Sequence, residues 1–180
     1  NVYQMNRVFD AASFGNENVV PSIRLLNTVT SEMGRARVRA YRYTIQTDPA
    51  DRAKLDTMLQ EARTMMDKAL KDYEPLVANE EDRKMLEAER ASLVEYNAHI
   101  DEALALARAG KNAEAQGILI NNVGLALRFD EQLTAHRHLN EKLAQEATAN
   151  GLATKSSATW IAGALPVFAG VLFLLFGRSI

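Results

Sequence analysis

Leu119, Asn122, Ala126, Phe129, Leu133, His136, Asn140 and Leu143 recur at unbroken intervals of three and four. Side chains so spaced share one stripe of an α-helix, and a stripe kept up over this length belongs to long helices packed almost parallel. The chain is thereby steered towards a helical bundle. Asn122, His136 and Asn140 set polar groups into that seam.

The remaining sequence agrees. Only nine glycines and four prolines occur in 180 residues, too few for the regularly spaced turns of a sandwich or barrel. The opening residues mix polar and apolar side chains and carry Pro21, which predicts a kinked first helix ending near Thr47. Along it, Ile23, Leu26, Thr30, Met33, Arg37 and Ala40 form one stripe, with Val29, Arg35, Val38, Arg42 and Ile45 on its neighbours. Asp48 ahead of Pro49 starts a second helix, since the carboxylate accepts from free amides and proline loses nothing at the first helical position. Leu55, Met58, Leu59, Ala62, Met65, Met66 and Leu70 are available for its buried face, the methionines as core filler. Asn79, with acidic residues behind it, caps a third helix that Gly110 stops, and a fourth begins near Asn112. Four long helices with short connections stack as an all-α, antiparallel, up-and-down four-helix bundle.

From Trp160 to Gly177 the chain passes without a charge, near the minimum for crossing a bilayer, and Arg178 closes the stretch. A buried core helix is the alternative, but Pro166 and the glycines suit a membrane helix better, and tryptophan and arginine suit its two interfaces. The expected organisation is a bundle over residues 1–157, a transmembrane helix over 158–177 continuing the last bundle helix, and a cytoplasmic start at 178–180.

Composition excludes several activities. A net charge of -2 offers no broad positive field for nucleic acid, and zero cysteines remove disulfide scaffolds, thiolate metal sites and cysteine nucleophiles. His136 and His138 do not share a helical face, and His99 has no second histidine nearby, so no metal site or other cofactor is expected. No phosphate loop or nucleophile elbow is present, and the chain does not read as an enzyme.

The segment MGRARVRAYRY, residues 33–43, is the most informative local feature. Arg35, Arg39 and Arg42 fall at i, i+4 and i+7 and project from one helical face, with Arg37 elsewhere. Their mutual repulsion is relieved by an anion, and each guanidinium presents a planar fork to a carboxylate. The alternative is a solvated basic face paired with the glutamates of the middle helices. Only Glu32 offers Arg35 a carboxylate at helical spacing, and Tyr41 and Tyr43 can line a site with polar tips.

These features resemble the four-helix-bundle ligand domain of methyl-accepting chemotaxis receptors, the group that contains the aspartate and serine receptors. The resemblance covers nearly the whole chain: the arginine pair Arg35 and Arg39 before a polar turn, two middle helices, and a fourth helix running through Trp160 into a membrane span. The terminal GRSI is similar to the start of the linker that follows the second span in these receptors. The resemblance implies a homodimer in the bacterial inner membrane, with residues 1–157 in the periplasm. It implies a first span and a cytoplasmic signalling region outside these residues, acting on a kinase and an adaptor. It also implies a ligand held at the dimer interface by first-helix arginines of both subunits and polar groups of the fourth helix.

Counted back from Trp160, the family's ligand-contacting threonine lands on Asn122, with RFDEQL in register; a polar core residue fixing helix register is the alternative for Asn122. A further family arginine corresponds to Thr30, which hydrogen-bonds but cannot neutralise a carboxylate. With Arg37 or Arg42 supplying that charge, a small carboxylate such as malate or citrate is expected, or an amino acid. Arg35 and Arg39 are expected to clamp it, with Arg42, Thr30, Tyr41 and Asn122 completing the site. Two other outputs fit the same fold: the sensor domain of a histidine kinase, or a membrane-anchored helical interaction protein without a small ligand.

Overall fold

The computed structural model describes residues 9, 12–121 and 123–150 with their side chains, and 151–176 by backbone alone. It divides the chain into two compact units, Val20–Asn140 and the terminal segments Asn1–Val19 with Glu141–Ile180. In the second unit Gly15–Val19 form a π-helical turn, and the Thr148 hydroxyl donates back to the Ala144 carbonyl at 2.8 Å. The irregularity predicted around Pro21 thus takes the form of a π turn just ahead of it. A proline supplies no amide to close the preceding turn.

The first unit holds α1 (Val20–Ile45), α2 (Pro49–Tyr73), α3 (Glu80–Arg108), α4 (Asn112–Asn121) and the part of α5 (Val123–Phe176) up to Asn140. The fourth bundle helix is described in two pieces, α4 and α5, because residue 122 between them is outside the described residues. Successive helices are joined at 46–48, 74–79 and 109–111, connections short enough that each helix reverses the one before.

The predicted caps are in place. The Asp48 side chain accepts from the amides of Ala50 and Asp51, and that of Asn79 accepts from the Asp82 amide. Gly110 takes a φ of 79°, the left-handed conformation that lets the chain leave α3 without a Cβ penalty.

Leu26, Val29, Met33, Ala36, Ala40 and Tyr43 of α1 face a core built with Leu59, Met66 and Leu70 of α2, Leu86, Leu93 and Ile100 of α3, and Phe129 and Leu133 of α5. Two expectations are corrected. Met58 and Met65 are 43% and 51% exposed, because the buried face of α2 runs through Leu55, Leu59, Ala62, Met66, Ala69 and Tyr73. On α1 the buried seam passes through Val29 and Ala36 rather than through Thr30 and Arg37, which leaves those two at the edge of the core.

Cross-links set the register of the bundle. Tyr96 of α3 donates to the Met33 carbonyl of α1 at 2.9 Å, and Arg63 of α2 meets Asp101 of α3 at 2.7 Å. At one end of the unit Arg108 donates to Tyr43 and Asp56, while Arg52 donates to the Gln46 carbonyl.

The predicted membrane segment, Trp160–Gly177, and Arg178 lie outside the residues whose side chains are described. Among the described residues no helix is long and apolar enough to cross a membrane.

Candidate functional site

The displaced seam of α1 creates the site. Thr30, Met33, Gly34 and Arg37, spaced i, i+3, i+4 and i+7, line one wall of a cavity of about 270 Å³. Ala126, Leu127 and Asp130 of α5 line the other. A Cβ built on Gly34 would meet no heavy atom within 4 Å, so this glycine leaves space rather than permitting a close helix approach.

The cavity carries one charge of each sign. Arg37 is exposed and Asp130 half-buried, and neither has a hydrogen bond or ion pair among the described residues. Arg37 also borders a smaller space of about 30 Å³ with Tyr96, His99, Leu119 and Val123. Burial pushes the Tyr96 phenol well above its ordinary pKa, against the opposing pull of the Arg37 and Arg63 charges. Thr30 is held by α5: its hydroxyl accepts from Arg137 Nη1 at 2.9 Å, while Arg137 Nη2 donates to Thr134 at 2.6 Å.

The other arginines are placed differently. Arg35 is ion-paired with Glu32, the one local carboxylate the sequence offered it, and Glu32 is itself only 4% exposed. Arg39 donates to the Met58 carbonyl of α2 at 2.6 Å. Arg42 is exposed, and no side-chain partner is found for it among the described residues. Asn122 lies outside the described residues.

At 100° per residue, Thr30, Gly34, Arg37 and Tyr41 share one face of α1, and Arg35, Arg39 and Arg42 share another more than a quarter-turn round. Between the two faces Val38 and Ile45 stand 56% and 68% exposed. Within one chain, therefore, Arg37 and Thr30 come together at the cavity while Arg35, Arg39 and Arg42 do not join them.

A second constellation is sealed inside the same unit. His136 is fully buried, with Nε2 at 2.6 Å from Asp82 Oδ1 and Nδ1 at 2.9 Å from Glu89 Oε1. The Tyr73 hydroxyl donates to Asp82 at 2.8 Å and accepts from Asn140 Nδ2 at 2.7 Å. Burial alone would lower the His136 pKa, but the hydrogen bonds and charges of Asp82 and Glu89 outweigh it and lift the group to about 9. Glu89 is held above the usual carboxylate range by burial, against the pull of His136 and Arg137. Asp82 is also pushed up by burial, yet its bonds to His136, the Ala78 amide and Tyr73 bring it below that range.

The sequence seam placed His136 and Asn140 inward but gave them no partners. The missing signal was on α3, where Asp82 and Glu89 are seven apart and so share the face turned to that seam. Among the described residues no cluster suited to holding a metal ion occurs.

Residues 1–154 match the model of a family described as a four-helix-bundle sensory module for signal transduction. A search of curated proteins finds no match.

Proposed function

The chain belongs to the four-helix-bundle sensory modules of methyl-accepting chemotaxis proteins, and from that membership we propose that it is the periplasmic ligand-binding domain of a transmembrane chemoreceptor whose ligand is a small carboxylate. The observation that carries the reading is that Arg37 and Asp130 line one cavity with opposite charges, neither side chain in a hydrogen bond or ion pair among the described residues. A cavity of about 270 Å³ stands just under the roughly 300–1,000 Å³ of drug-sized sites, which suits a metabolite of a few carbons.

The guanidinium of Arg37 takes the ligand carboxylate in charge-assisted hydrogen bonds, and Thr30 adds a hydroxyl. Asp130 favours a ligand that also carries an ammonium group. An amino acid therefore fits the cavity better than malate or citrate, whose second carboxylate would face Asp130. Tyr41 shares the α1 face of Thr30 and Arg37 without lining the cavity.

Arg35, Arg39 and Arg42 act on the ligand held by the other subunit, Arg35 exchanging Glu32 for it and Arg39 the Met58 carbonyl. Their face is separated from that of Arg37 by exposed Val38 and Ile45, an apolar strip that a second copy covers in a homodimer. Ligand shared between subunits favours one relative arrangement of the α1 helices, and only its differential affinity for two arrangements can produce a signal. Trp160–Gly177 carries that signal across the inner membrane to a cytoplasmic kinase and its adaptor.

A thermal-shift screen of the 180-residue chain against amino acids and organic acids tests the reading. A ligand at about 100 times its Kd adds roughly 2.7 kcal/mol, which raises Tm by about 5–10 °C for a domain of this size. If every acid leaves Tm where it was, the carboxylate reading fails.

A further inference from the structure

None of the residues clustered around His136 lines the ligand cavity, and the function proposed for that cavity does not use them. The cluster gathers three ionisable groups, each with a fully buried side chain, with Asp82 and Glu89 both at hydrogen-bond distance of His136. We propose that this cluster is a second binding site, whose ligand is the proton, and that loss of the proton from His136 loosens α5 from α2 and α3 within the Val20–Asn140 unit.

The geometry leads to this. Both imidazole nitrogens face carboxylate oxygens, Nε2 that of Asp82 and Nδ1 that of Glu89. Only the imidazolium has a hydrogen on each nitrogen, so against two ionised carboxylates only the protonated ring satisfies both contacts. A neutral ring must present a lone pair to one carboxylate, leaving a buried anion against a buried acceptor.

Every element packed on the ring contributes. α2 supplies Tyr73, whose hydroxyl is 2.9 Å from Nε2 and whose ring centroid is 4.8 Å from that of the imidazole. α3 supplies Asp82 and Glu89, and α5 itself supplies Asn140 and Arg137, whose charge reaches Glu89. The buried Ser22 of α1 lies against the Tyr73 hydroxyl. Glu89 Oε2 and Asn140 Oδ1 have no hydrogen-bond partner among the described residues, and neither has the Ser22 hydroxyl.

The pH window follows from signs. His136 sits at about 9 against an ordinary 6.5, so its stabilisation is complete below 6.5 and is lost as pH rises through 9. Tyr73, driven upward chiefly by burial, stays neutral across that window. Asp82, held below the usual carboxylate range, stays ionised across that window, while burial raises Glu89. The alkaline limb is that of the histidine, which sits at about 9.

The test uses the 180-residue chain carrying isotope-labelled histidine, whose three imidazoles can be followed by NMR from pH 5 to 10. The expected result is one buried ring, absent in His136→Gln, with a midpoint near 9 that Glu89→Gln moves lower. The unfolding constant should rise about tenfold per pH unit between 6.5 and about 9 and level off above, and amide exchange around residue 136 should quicken as the ring deprotonates. A His136 midpoint at or below 6.5 overturns the proposal. So does a midpoint near 9 with no change in α5 exchange. Should His136→Gln not fold, Glu89→Gln alone decides: an unmoved midpoint removes the carboxylate clamp on which the idea rests. Ligand affinity at Arg37 enters none of these readouts, so either reading can fail without the other.

Discussion

Tyr73→Phe removes a single oxygen from the middle of the buried network. The ring itself is 0% exposed, so phenylalanine keeps its packing, and what changes is hydrogen bonding. Asp82 loses the donor at 2.8 Å, and the Asn140 amide, which donates to Tyr73 at 2.7 Å, keeps only the His136 carbonyl at 3.1 Å. Leaving buried polar groups short of partners costs about 1–3 kcal/mol, more where a charge is involved. Taking about 2 kcal/mol and 2–4 °C per kcal/mol for a chain of this length, Tm should fall by roughly 4–8 °C. Tyr96→Phe is the control. That hydroxyl makes one bond, to the Met33 carbonyl at 2.9 Å, and its loss should cost nearer 1 kcal/mol. Urea denaturation of both variants at pH 7 gives the comparison. If Tyr96→Phe costs as much as Tyr73→Phe, or if neither costs anything, the network does not hold the helices as argued.

Met66→Ala should destabilise by about 2–5 kcal/mol while Met65→Ala stays within about 0.5 kcal/mol, since Met66 is 0% and Met65 51% exposed; equal losses in denaturant titrations would contradict the assigned face of α2. Asp48→Ala should cost about 1 kcal/mol through the two amides it leaves free, again read by urea unfolding. Gly34→Ala should raise Tm, because alanine favours the helix by about 1 kcal/mol and meets no neighbour within 4 Å. The same methyl narrows the cavity and should weaken ligand binding in calorimetry.

The bundle was legible because its signals are local. Caps at Asp48 and Asn79, the stop at Gly110 and the start at Asn112 each depend on a few neighbouring residues, and the seam of the fourth helix repeats without a break. Face assignment on α1 and α2 was harder. Apolar and polar residues alternate there closely enough that a stripe one residue aside reads almost as well, which is how Met58 and Met65 were counted as buried and Ala36 passed over. The candidate site was less legible. Arginine spacing marks the segment but does not say which guanidiniums the protein itself engages. That depends on Glu32 neutralising Arg35 and on the Met58 carbonyl engaging Arg39, and the second is a tertiary contact. Arg37, which leaves the common face and was one of two candidates for the extra charge, is the one that lines the cavity. The buried histidine cluster needed both α3 and α5 to be seen together, since neither Asp82 nor His136 carries any mark of it alone.

Calorimetric titration of the 180-residue chain with an amino acid identified by thermal shift, and with the matching acid lacking the amino group, tests the central claim most directly. Arg37→Ala should weaken both by about tenfold or more, the loss expected for a hydrogen bond to a charged group, whereas Asp130→Asn should weaken the amino acid and leave its deamino counterpart nearly unchanged. Affinity that survives Arg37→Ala intact would place the carboxylate elsewhere and contradict the account.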